Sequence, residues 1–278
     1  MRTPLPASMA TASADLFESL AARTWMRLQL AEALRTSYGE ETITDNIILD
    51  LLVAAPADVR VRPVPKPEEA LHGADWEWWL GNDSDGWWPF AVQAKKLSKN
   101  RVYLGLRYTV KGVLQADLLE RYARRRNAIP LYCFYNYDDG LTPGDCWNCP
   151  LPPDLSQLGC TVTALDVVKR VIPKRRPKTM RALHADRRSI PWRCLLKCPF
   201  LAPGSAIVGS HPLASVGFEN VRPVANLPSY ALGDGPVPAV TLDDDDASGI
   251  TLVPRFVVVL NTARALVPAS TDRPTLEA

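Results

Sequence analysis

The feature that most constrains the fold is a turn. The run Gly81-Asn82-Asp83-Ser84-Asp85-Gly86 separates two apolar segments, residues 74–80 and 87–95, both rich in Trp, Ala, Val and Phe. Turn residues flanked by such segments predict a β-hairpin. Strand side chains alternate between faces, so Asp75 and Glu77 share one face of the first strand, and Gln93 and Lys95 share one face of the second. Val92 and Ala94 point the other way and suit a core. Polar and charged groups gathered on one face of an otherwise apolar hairpin need a physical reason to be there.

The flanking sequence supplies the rest of a layered fold. Leu16, Leu20, Trp25, Leu28 and Leu30 recur near the helical period and predict a helix over 13–36. Ile43, Ile47, Ile48, Leu51 and Leu52 predict a second over 42–55. A short strand follows at 59–64, and the hairpin comes after it. Residues 101–108 read as a strand or an extended loop, 113–127 as a helix, and 129–137 as a buried strand. A loop at 143–153 and a helix over 163–172 complete this part. The order helix, three strands, helix, strand implies an α/β sandwich with a mixed sheet. Beyond Pro199 the chain is rich in Pro, Gly and Ser and carries the acidic run Asp243–Asp246, with one further apolar strand at 255–260. This gives three regions: an N-terminal tail and helix (1–37), an α/β domain (38–200), and an irregular C-terminal extension (201–278).

With 278 residues, 47% of them hydrophobic, the chain can build one sizeable core. The first fifteen residues contain no apolar stretch of the kind a secretory signal needs. No apolar run approaches the roughly 20 residues that span a bilayer. A cytoplasmic protein without membrane contact is the expectation, with its six cysteines as thiols or metal ligands rather than disulfides.

The hairpin's polar face suits phosphodiester hydrolysis. A hard cation such as Mg²⁺ takes oxygen ligands. Asp75 offers a carboxylate, Gln93 an amide oxygen and Ala94 a main-chain carbonyl. Lys95 could orient a water and stabilise charge on phosphoryl oxygens. A carboxylate from the preceding helix would complete the set; Glu41 is the choice, with Glu40 and Asp45 as neighbours able to replace it. Gln115 falls on the buried stripe of its helix with Leu118, Leu119 and Tyr122, from where it could reach the same place.

The pattern Asp75 … Gln93-Ala94-Lys95 resembles the PD-(D/E)XK nuclease superfamily, and is closest to its Mrr-type variant, in which Gln replaces the acidic residue before the lysine. The pairing of Gly73-Ala74-Asp75-Trp76-Glu77-Trp78-Trp79 with Gln93-Ala94-Lys95-Lys96 also resembles an uncharacterised bacterial family of unknown function. The nuclease resemblance covers about residues 38–138. It implies a restriction-endonuclease-like αβββαβ core and a Mg²⁺- or Mn²⁺-dependent nuclease, most simply a DNA endonuclease of restriction or anti-phage defence, with a homodimer possible. Asp75, Gln93, Lys95, Glu41, Glu77 and Gln115 are the implied catalytic residues, and Asp75, Gln93, Ala94 and Glu41 the metal site. Gln93 is the departure from the commoner motif: one carboxylate fewer leaves open a catalytically inactive nucleic-acid-binding module.

Nine basic residues lie between Lys169 and Arg188, and Arg121, Arg124, Arg125 and Arg126 form a second cluster. Lys96, Lys174, Arg175, Arg176 and Lys178 are candidate phosphate contacts; a solvated loop is the plainer reading. Cys146 and Cys149, with Cys194 and Cys198, could make a Cys₄ zinc site, Cys160 replacing one of them, against a default of buried thiols. The tryptophans read more simply as core than as a stacking surface. Asp75 and Glu77 among tryptophans also leave open a carbohydrate-active hydrolase. The plain alternatives for single residues are a surface ion pair for Asp75 and Lys95, solvation for Glu77, and a helix-dipole contact for Glu41.

Overall fold

The computed structural model describes residues 12–54, 58–65, 71–173, 175–196, 221–243 and 249–261. Two long helices come first, α1 (Ala12–Ala33) and α2 (Glu40–Ala54), then strands β1 (Val59–Pro63), β2 (Leu71–Asn82) and β3 (Gly86–Lys96). A 3-10 turn at Leu104–Arg107 and a miniature hairpin, β4 (Thr109–Val110) and β5 (Val113–Leu114), lead into α3 (Gln115–Arg125) and β6 (Ile129–Tyr135). There follow α4 (Pro143–Cys146), β7 (Cys160–Ala164), α5 (Leu165–Val171), α6 (Met180–His184) and β8 (Ser189–Pro191). The last elements are α7 (Ser229–Leu232), β9 (Val240–Leu242) and β10 (Ile250–Asn261).

The hairpin forms where the turn sequence predicts. Asn82 Oδ1 accepts from the main-chain N–H groups of Ser84 and Asp85, both at 2.9 Å, which closes the turn locally. A Cβ at Gly81 would stand 2.0 Å from the Gly86 carbonyl oxygen, so a side chain there would prevent closure. β2 and β3 then pair antiparallel, with Trp76 opposite Val92 and Glu77 opposite Ala91.

The sheet is mixed, in the order β1-β10-β2-β3-β6-β7-β8, with β9 pairing onto β10. β10 runs parallel to β2, and β6 parallel to β3; the other pairs are antiparallel. The β3–α3–β6 unit is therefore a crossover, which a parallel pair requires. α1 and α2 lie on one face. Trp76 and Trp78 are fully buried there, and the Trp192 indole donates to the Phe17 carbonyl at 2.8 Å. α3, α5 and α7 cover the opposite face: Tyr122 and Tyr230 reach Glu77, and Lys169 of α5 pairs with Asp117 and Glu120 of α3.

Several expectations need correcting. Thr163 and Ala164, placed at the start of a helix, instead end β7 (Cys160–Ala164), and the helix begins only at Leu165. Thr161 and Thr163 are fully buried, so a run mixing Thr with Val and Ala serves as an interior strand. Residues 101–108 form neither a strand nor an extended loop but contain the 3-10 turn. Leu30, which recurs at the helical period with the buried Leu20 and Leu28, is itself 50% exposed.

The boundary near residue 200 does not separate an irregular extension from the sheet. β10 inserts between β1 and β2, and Leu252, Val253 and Val257–Leu260 are all buried, as a strand covered on both faces demands. Nor does a boundary at residue 37 separate α1, because Phe17, Leu20 and Ala21 belong to the same core cluster as Trp76 and Val92. Among the described residues no helix is long and apolar enough to cross a membrane.

Candidate active site

The hairpin register sets Gln93 beside Asp75. Asp75 Oδ2 accepts from the Gln93 amide and, at 2.8 Å, from the main-chain N–H of Ala94. Lys95 emerges from the same strand face and is only 6% exposed. Its Nζ lies 3.1 Å from Glu40 Oε1, while Glu40 Oε2 accepts from the Lys96 N–H at 2.9 Å. Glu40 is the first residue of α2, where the helix dipole favours a carboxylate. Three segments of chain thus meet at the end of β3.

The helical acid is Glu40 and not Glu41. Glu41 is exposed, because one residue along a helix turns the side chain by about 100°. Asp45 pairs instead with Arg255 at 2.9 Å. Gly105 holds Lys95 from above: a Cβ there would come within 3.0 Å of Lys95 Cδ. The loop carrying the 3-10 turn therefore fixes the lysine stem.

Burial pushes the Asp75 carboxyl up to about 6. Lys95 and the Ala94 N–H act against that rise, Glu40 adds to it and Arg255 reduces it. A carboxyl whose folded pKa is raised contributes stability below its unfolded pKa near 3.8, and loses it as the pH climbs through about 6. In metal-free protein at neutral pH, the ionised Asp75 costs on the order of 2–3 kcal/mol. Asp75→Asn is expected to raise stability in chelator by that order at pH above 7. The gain should shrink towards zero as the pH falls from 6 to 4. Urea unfolding of both proteins across this range measures it, and a gain independent of pH would disprove the assignment.

Glu77 does not join this cluster, which corrects the idea of a shared four-residue site. It is 1% exposed, and five hydrogen bonds saturate it. Oε1 accepts from Trp79 Nε1 (2.9 Å) and the Tyr230 hydroxyl (2.6 Å). Oε2 accepts from the Tyr122 hydroxyl (2.9 Å) and from Arg126 Nε and Nη2 (3.1 and 2.9 Å). Burial alone would lower the Arg126 pKa, but Glu77 together with Tyr122 and Tyr230 holds the guanidinium above its ordinary value. Asp75 and Glu77 are therefore not a carboxylate pair open to a sugar.

Gln115 opens α3 half-buried, and its Oε1 is buried with no hydrogen-bond partner. Tyr132, which sequence reasoning passed over, stands opposite Gln93 in the parallel register. Its side chain is fully buried and its hydroxyl also lacks a partner. Its signal was present in the strand 129–137, but a tyrosine in an apolar run reads as core.

Part of the basic stretch is neutralised by ion pairs. Lys169 pairs with Asp117 and Glu120; Arg170 and Arg188 pair with Asp166 and Asp186; Arg181 lies 3.4 Å from Asp145. Lys96 Nζ donates to the Tyr38 carbonyl at 2.7 Å. Arg175 and Arg176 are exposed, Lys178 is half-buried, and Lys174 lies outside the described residues.

Cys146, Cys149, Cys160 and Cys194 are buried, and Cys198 lies outside the described residues. Burial raises the Cys146 thiol to about 11 and that of Cys160 to about 12, which keeps both protonated. No group of three His, Cys, Asp or Glu side chains is gathered for a metal among the described residues. Trp76 and Trp78 are core, and Trp79 and Trp87 belong to a second apolar cluster with Ala231, Val257 and Val259.

No curated protein and no solved structure matches this chain. A family model does match, across residues 13–261. The chain belongs to the family it describes, a family of unknown function (DUF6615).

Proposed function

We propose that this chain is a divalent-cation-dependent nuclease with a restriction-endonuclease-like core. The observation that carries the reading is the meeting of Asp75, Gln93 and Glu40 around a nearly buried Lys95. The succession of α2, the β2–β3 hairpin, α3 and a β6 parallel to β3 supports the core assignment. β10, inserted between β1 and β2, is an addition to that core.

The donors suit a hard cation. Asp75 and Glu40 offer two carboxylates against the one positive charge of Lys95, and burial holds the Asp75 carboxyl at about 6 despite that lysine. Two carboxylates completed by neutral oxygens and water make an ordinary Mg²⁺ set. Asp75, Glu40, the Gln93 amide oxygen and the Ala94 carbonyl would hold the ion; amide oxygen and nitrogen exchange by a simple flip. When bound, the cation would polarise the phosphate and acidify a water. Lys95, steadied by Glu40 and by the Gly105 backbone, would stabilise charge developing on the phosphoryl oxygens. The Ala94 N–H orients Asp75 throughout.

Gln93 in the place of a third carboxylate favours one second reading, a nuclease fold that binds nucleic acid without cutting it. Purified protein incubated with supercoiled plasmid, single-stranded DNA and RNA, in Mg²⁺ or Mn²⁺ and in EDTA, separates the two. Cleavage that requires the cation supports the enzyme. Retention of nucleic acid with no cleavage under any condition supports the inactive fold.

A further inference from the structure

Resting on the nuclease reading and extending it to substrate class, we infer that the surface beside Lys95 is a groove for single-stranded nucleic acid, with Leu104 and Tyr108 as its base-contacting platform. The loop between β3 and α3 carries this platform. Its 3-10 turn presents Leu104 at 72% and Tyr108 at 59% exposure, on either side of the Gly105 backbone that packs on Lys95. Single exposed apolar residues are ordinary on a protein surface. Two on one short turn, bracketing the contact with the site's lysine, are placed to meet whatever the lysine acts on.

The charges around the loop point to the same ligand. The main-chain N–H of Tyr103 donates to the Lys178 carbonyl at 2.8 Å, Val102 bridges to Thr179, and Arg107 Nε donates to the Ile172 carbonyl at 2.8 Å. These bonds fasten Ile172, Lys178 and Thr179 alongside the turn. The cations left after the ion pairs of Lys169, Arg170, Arg181 and Arg188 are counted include those of this segment. Arg175 and Arg176 are exposed and form no ion pair among the described residues, and Lys178 Nζ reaches only the carbonyls of Pro173 and Arg176. Arg107 Nη2 is buried without a partner, and the exposed Lys111 extends the same loop.

Unpaired cations next to a protruding aromatic and an aliphatic side chain match a backbone carrying phosphates and bases with free faces. A duplex offers the phosphates but hides the base faces in its stack. Leu104 and Tyr108 would find nothing to cover there. The single strand is therefore the better fit.

The test is binding in EDTA, where no cation-dependent cleavage occurs. Fluorescence anisotropy would follow labelled oligothymidylate, oligouridylate and a blunt DNA duplex, each at low and moderate salt. The two single strands separate DNA from RNA. The expected result is tighter binding of a single strand than of duplex. Tyr108→Ala should weaken single-strand binding about tenfold and leave duplex binding unchanged, and Tyr108→Trp should retain it. Arg175→Glu with Arg176→Glu should weaken both and flatten the salt dependence.

Both sets of positions are exposed, and circular dichroism confirms that each variant is folded. Duplex bound as tightly as single strand, with Tyr108→Ala silent, overturns the inference, as does the absence of binding to any of the three. Cleavage by the wild-type protein in Mg²⁺ with Tyr108→Ala silent overturns the groove and leaves the nuclease standing. The expected binding pattern with no cleavage under any cation overturns the nuclease and leaves the groove.

Discussion

Glu77→Ala should destabilise the protein by about 3–5 kcal/mol, the usual cost of stranding one member of a buried ion pair. Removing the carboxylate leaves the Arg126 guanidinium with 11% side-chain exposure and no anion. The Tyr122 and Tyr230 hydroxyls and the Trp79 indole lose their acceptor at the same time. Each unsatisfied buried donor adds its own desolvation penalty. Arg126→Ala should cost a similar amount for the complementary reason. The double variant Glu77→Met, Arg126→Leu should recover much of the loss, because neither charge is then buried alone. Thermal unfolding would register the single changes as falls in Tm on the order of 10 °C. Single variants within about 1 kcal/mol of wild type would show that water compensates the network.

That network also marks where the sequence stops being legible. The hairpin could be read because its information is local: the turn residues, the alternation and the polar pair all lie within residues 74–95. Asp75, Gln93 and Lys95 came together because register follows from the turn. Glu77 has the same parity as Asp75, and parity alone put them in one site. Its fate was decided by partners 45, 49 and 153 residues away, none of which any periodicity connects to it.

The choice among the helical acids, Glu41 with Glu40 and Asp45 as alternatives, turned on a finer point. Glu40 and Glu41 are equivalent in composition, and only the rotational phase of α2 against the sheet chooses between them. β10 was legible as an apolar strand, but its neighbours were not. A parallel partner about 180 residues distant leaves no trace in either strand's own pattern. The pairing of Lys169 was not legible, because its counter-charges, Asp117 and Glu120, arrive from α3 through packing, whereas Asp166 stands one helical turn from Arg170 on α5 itself.

Lys95→Met should reduce cation-dependent cleavage by about 10²–10³-fold, the magnitude expected when a preorganised charge stabilising the transition state is removed. Methionine is the informative choice because its stem still fills the space beneath Gly105, so the loop above it keeps its support. Lys95→Ala removes that packing as well, and a loss seen only with alanine would mean that the stem matters and the charge does not. The substitution also has a consequence that requires no turnover. The Lys95 charge is the largest of the influences that hold the Asp75 pKa down. Without it Asp75 should titrate above 6, and the pH at which metal-free protein loses stability should move up with it. Urea unfolding of Lys95→Met in chelator across the neutral range reads this directly. Loss of cleavage together with an upward shift assigns Lys95 to the charge balance of the site. Loss of cleavage without the shift would separate the lysine from Asp75 and place its role with the substrate alone.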